Sequence, residues 1–145
     1  MILNGINANY QTADLTNLLM KKIIFTTDAP APIGPYSQAI LVKDTLYTSG
    51  QIAINPITNE LVLDNIENET KQVMENLKAV LTAAGMTFEN IIKCNIFISD
   101  MNNFAKINGV YAAYFNEKTA PARETVQVAC LPKNVNVEIS AIAIM

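Results

Sequence analysis

The sequence predicts an α+β fold: one mixed β-sheet with two helices on one face, in the order β-β-β-α-β-α-β-β. Three observations carry this. The chain has 145 residues, half of them apolar and 16% charged, enough for one ordinary domain with a real core. Short β-branched apolar runs cluster before and after two segments whose apolar residues recur at helical spacing. Strands gathered around only two helices suit a sheet covered on one side.

The elements follow in order. Residues 1–19 contain no Lys or Arg, so they match neither a signal peptide nor a transit segment, and no apolar run approaches the roughly 18 residues of a membrane span. They read as an extension outside the core, with one domain over 20–145. Ala29 to Tyr36 holds three of the six prolines and is expected as an ordered extended loop. Ser37–Val42 and Thr45–Ile52 flank Lys43-Asp44 at hairpin spacing. Asn55-Pro56 and Thr58-Asn59 mark a loop.

The period then changes. Ile66, Val73, Leu77, Val80, Leu81 and Ala84 share a helical face, with Asp64 and Glu67 expected to cap its start and Gly85 its end. Ile91–Ile98 is a strand. Asp100 is expected to cap a second helix that buries Phe104, Ile107, Tyr111, Tyr114 and Phe115. Glu124–Ala129 reads as a strand, Leu131–Asn134 as a turn and Val135–Ile144 as the last strand. These strands are apolar at nearly every position. Two helices cover one face, so the other is expected to bury against another copy of the chain.

Composition narrows the chemistry. There is no His, which removes Ser-His-Asp and Cys-His catalysis. Cys94 and Cys130 form no Cys-x-x-Cys element, so no zinc site of the usual kind is expected. Two isolated cysteines suit a reducing, cytoplasmic setting. Ten cations against 13 acids give a net charge of -3, with no track for phosphate backbones or anionic membranes.

Three polar residues interrupt apolar patterns. Asn108 falls within the stripe of the second helix, where its amide needs a partner; it serves a ligand or caps a nearby backbone group. Glu138 shares a strand face with Ser140, Ile142 and Ile144, and is either a wetted strand end or a carboxylate held in a cleft. Arg123 is the only arginine and stands at a loop-to-strand edge, as a surface residue or pointing into a cleft. Together they suggest one site. Arg123 can grip a carboxylate through two parallel hydrogen bonds, Glu138 can deprotonate water, and Tyr36 can close the pocket. Without His or a metal the reaction must be easy. Hydrolysis of an activated C=N bond fits; amide or phosphodiester cleavage fits badly.

Five motifs carry a resemblance: Ile33-Gly34-Pro35-Tyr36-Ser37-Gln38-Ala39, Thr48-Ser49-Gly50-Gln51-Ile52, Pro121-Ala122-Arg123, Leu131-Pro132-Lys133 and Val137-Glu138-Ile139. In this order and spacing the body from about Met20 onward resembles the reactive intermediate deaminase A (RidA) family, formerly YjgF. The resemblance implies a chorismate-mutase-like fold, a homotrimer with sites between subunits, and no cofactor. It implies hydrolysis of 2-imino acids, formed from enamines such as 2-aminoacrylate, to 2-keto acids and ammonia. Arg123 would clamp the substrate carboxylate and Glu138 would steer water. Tyr36, Ser49 and Asn108 match pocket-lining positions, and the backbones of Gly50 and Thr125 match ligand contacts. Thr125 stands where many members carry Cys, and Ser140 replaces a common carboxylate. Other readings are a non-catalytic sensor or chaperone-like regulator, an endoribonuclease-type translation inhibitor, and the same chemistry on 3-aminoacrylate.

Overall fold

The computed structural model describes residues 21–145; the extension expected at 1–19 lies outside the described residues. Six strands form one sheet: β1 (Lys21–Ile24), β2 (Ala39–Val42), β3 (Thr45–Thr48), β4 (Ile91–Ile98), β5 (Ala122–Gln127) and β6 (Val137–Ile144). Their spatial order is β1-β2-β3-β6-β4-β5. Only the β4–β5 pair is parallel. Helices α1 (Ile66–Ala83) and α2 (Phe104–Ala112) complete the expected order.

Period-two alternation builds the core. Cys94, Ile96 and Ile98 of β4 lie opposite Ala141, Ile139 and Val137 of β6, and all six are buried. They share one cluster with Val73, Leu77 and Leu81 of α1 and with Ile107 and Tyr111 of α2, so both helices cover the same face. The other face carries the cross-strand row Ile23, Ile40, Tyr47 and Ile142. Nothing among the described residues covers that row: Ile23 is 60% exposed and Tyr47 50%.

Several boundaries differ from expectation, each for a local reason. Asn65, not Asp64, caps α1: its side chain accepts from the Asn68 backbone at 2.8 Å, while the Asp64 carboxylate takes the Asn68 amide. Gly85 ends α1 as expected, at φ +75°, with Met86 N–H donating to Leu81 and Gly85 N–H to Thr82. Asp100 caps a short 3-10 turn, Met101–Asn103, that feeds α2. Helix α2 stops at Ala112, so Tyr114 and Phe115 pack beyond its end against Phe88. Phe104 is 37% exposed rather than buried. Strand β5 begins at Ala122, because the parallel register with β4 starts there. Strand β6 begins only at Val137. The preceding turn puts Lys133 and Asn134 at φ 56°, and the Asn136 N–H donates to the Glu69 carboxylate instead of to a neighbouring strand.

Candidate functional site

Glu138 stands on the open face of β6, opposite Phe97. Its carboxylate lies directly over Gly50, where a built Cβ would come 2.6 Å from Cδ and 2.8 Å from Cγ. Glycine is required here for close approach, not for an unusual φ. Burial, with no nearby donor or cation to offset it, holds the Glu138 pKa above its ordinary value of 4.5. The carboxylate faces a cleft of about 360 Å³ that Tyr36, Ser49, Gly50, Ile33, Ile52 and Pro132 help to line. Ser49 Oγ donates to the Ser37 carbonyl at 2.6 Å, which ties the 48–50 segment to the Tyr36 loop. Tyr36 is half exposed, and its hydroxyl accepts from Ile33 N–H at 3.4 Å.

A second cleft, about 650 Å³, opens beside α2 and the 115–121 segment. Arg123 and Asn108 line it, with Tyr111, Phe115 and Glu117. Arg123 lies opposite Cys94 and therefore on the helix-covered face, at the sheet's edge strand. Its Nη1 donates to Asn108 Oδ1 at 2.6 Å. The guanidinium carbon is 5.0 Å from the Tyr111 ring centroid and 5.8 Å from that of Phe104. The three ion pairs among the described residues all belong to lysines, so this guanidinium has no anion beside it.

One chain does not bring Arg123 and Glu138 together, contrary to the expectation of a single site. They lie two strands and three register positions apart, roughly 14 Å between Cα atoms by strand geometry. They also face opposite sides of the sheet. The structure gathers Tyr36, Ser49, Gly50 and Glu138 in one cleft and Asn108 and Arg123 in another. Thr125 lines neither. It sits two residues beyond Arg123, opposite Ile96, with a buried Oγ1 that has no hydrogen-bond partner. The described residues hold no group of three or more His, Cys, Asp or Glu placed to bind a metal. None of their helices is long and apolar enough to cross a membrane.

The family described as Endoribonuclease L-PSP matches residues 26–145. This chain belongs to the RidA family. A RutC family protein of Pyrococcus horikoshii is 53% identical over 124 residues, 86% of this chain and 98% of that one. The 2-iminobutanoate/2-iminopropanoate deaminase of Bos taurus is 47% identical over 126 residues, 87% of this chain and 91% of that one. The crystal structure of E. coli TdcF with bound serine is similar at a TM-score of 0.81 and 45% identity, covering 86% of this chain and 98% of that one. Among the described residues, the six-stranded sheet with two helices is the fold of this RidA-family chain.

Two supporting residues of the RidA-family chain escaped the sequence reading. Buried Gln38 stitches the Thr26–Pro30 loop: Nε2 donates to the carbonyls of Thr26, Ala29 and Pro30, and Oε1 accepts from Thr26 N–H at 2.7 Å. That loop is one wall of the Glu138 cleft. Buried Glu69 accepts from Asn136 N–H at 2.6 Å and from its Nδ2 at 2.9 Å. Ser99 binds the other side of Asn136, N–H to carbonyl and Oγ to Oδ1, both at 3.0 Å. This clamp fixes the chain two residues before Glu138. The signal for Glu69 was present: a carboxylate three after Ile66 and four before Val73, on the apolar stripe of α1.

Proposed function

We propose that the chain hydrolyses small 2-imino acids to 2-keto acids and ammonia, in a site assembled from two copies. The observation that supports this most is the division of charge. One cleft presents a guanidinium with no carboxylate within ion-pair distance, the other a half-buried carboxylate without a cation. A second copy that sets the Arg123 cleft of one chain against the Glu138 cleft of the next completes a pocket with both. The uncovered apolar row of the sheet suits such an assembly, a homotrimer on the family pattern. The deaminase name of the bovine relative and the serine held by TdcF support the substrate class.

In this reading Arg123 binds the imino acid's carboxylate with donors that Asn108 does not occupy. The substrate's C2 then faces Glu138. The carboxylate takes a proton from water as its oxygen bonds to C2 and the C=N pair moves to nitrogen. The protonated Glu138 returns its proton to the nitrogen of the carbinolamine. Glu138 then passes the hydroxyl's proton to the same nitrogen as the C=O forms and the C–N bond breaks, so ammonia leaves and the carboxylate is regenerated. A carboxyl whose pKa is raised by burial is suited to both transfers. Holding water and imine as neighbours supplies most of the rate.

The test is complementation. Arg123→Ala and Glu138→Gln chains should each be inactive on 2-iminobutanoate generated in situ by a threonine dehydratase. Unfolded together at equal amounts and refolded, they should regain about one quarter of parental activity, the share of randomly assembled sites that pair an intact Arg123 with an intact Glu138. No recovery rejects the shared site. Ribonuclease activity lost in Arg123→Ala would favour the other chemistry, although the chain has no His to act as acid and base.

A further inference from the structure

The geometry points to Phe104 and Tyr111 as positioning residues that set the chain's affinity for its carboxylate substrate by fixing Arg123. This rests on the reading above that Arg123 is the carboxylate clamp. A free arginine side chain on an edge strand samples many rotamers, and each ordered one must be held by contacts. Here one helix supplies all three contacts. Phe104, Asn108 and Tyr111 stand at positions i, i+4 and i+7 of α2, one above the other on a single stripe. Asn108 takes one N–H of the guanidinium. The two rings lie within cation–π range of its carbon. Aromatic faces attract the cation without consuming its donors, so the remaining N–H groups stay available to an incoming carboxylate. A carboxylate in the same place would have neutralised the charge instead.

The arrangement accounts for two features that core packing leaves unexplained. Phe104 begins α2 and is 37% exposed, where a core residue would be covered. Tyr111 is 4% exposed, yet its buried hydroxyl has no hydrogen-bond partner among the described residues, and burial raises its pKa. The ring of Tyr111, more than its hydroxyl, is what its neighbours use.

Phe104 gives the cleaner test because it is exposed. Phe104→Leu keeps an apolar side chain of similar reach and removes the aromatic face; Phe104→Tyr keeps the face. Steady-state kinetics on 2-iminobutanoate should show KM raised about two- to five-fold in Phe104→Leu, the weight of one exposed cation–π contact, with kcat held. Phe104→Tyr should restore the parental KM, and thermal midpoints of both should match the parent. A parental KM in Phe104→Leu, or an equal rise in both variants, overturns the assignment. A parent chain that fails to hydrolyse any imine tried overturns the deaminase reading itself, and the clamp with it; that outcome is distinct because it appears before any Phe104 variant is measured.

Discussion

Replacing Gly50 by Ala should separate activity from stability. The added methyl would lie 2.6 Å from Glu138 Cδ and 2.8 Å from Cγ, where ordinary contact begins near 3.4 Å. Oε1 lies nearer still, so the carboxylate must swing away by more than about 1 Å, and a displacement of that size at a reacting group costs on the order of 10²-fold in rate. The fold has little to lose. Gly50 is not in the left-handed region, and the atoms struck are the far end of a flexible side chain. Alanine also restricts the unfolded chain, which stabilises by about 0.4–1 kcal/mol where the backbone is compatible. The expected result is kcat/KM for 2-iminobutanoate down about 100-fold and a melting temperature equal to the parent's or slightly above it. In a Glu138→Gln background the Gly50 substitution should cost nothing further, since the group it displaces no longer acts. Full activity in Gly50→Ala, or an additive loss in the double variant, refutes the placement of Glu138 in the chemistry.

Glu138→Gln should lower the rate by about 10²–10⁴-fold as a lost acid–base group. It should also raise stability at neutral pH: the folded pKa lies above the unfolded one, so the charged form opposes folding above that range, and the gain of the variant should fade as pH drops through the ordinary carboxylate range near 4.5. Parental activity should rise with pH around a midpoint above that ordinary value; a profile flat from pH 4 to 8 contradicts it. Glu69→Ala leaves two half-buried donors of Asn136 without their partner, so denaturant titration should show a loss of about 1–3 kcal/mol. Gly85→Ala at φ +75° should destabilise by about 1–2 kcal/mol without changing KM.

Local pattern made most of the fold legible. Strand β4 and the α1 stripe are legible from period, because each is long and buried on one side. The boundaries that moved did so where side chains replace regular pairing. Asn65 caps α1 because it, not Asp64, is the residue just before the first helical turn. Asn136 delays β6 because Glu69, 67 residues earlier, occupies its donors. Among candidate site residues, Asn108 and Glu138 were marked by polarity on an apolar face, and both prove to line clefts. The sequence could not show that Arg123 and Glu138 face opposite sides of the sheet. That depends on the β4–β5 register and on β6 lying between β3 and β4, both of them long-range facts.

The alternation of β6 also bears on which length changes the chain can tolerate. Removing Ser140 while Ala141–Ile144 keep their pairing would turn the Glu138 side chain inward, beneath the helices, and expel Ile139 toward the open face. Insertions at the Asn55–Glu60 turn would disturb neither alignment. Libraries that vary loop length should therefore yield active clones at that turn and none across the first half of the final strand.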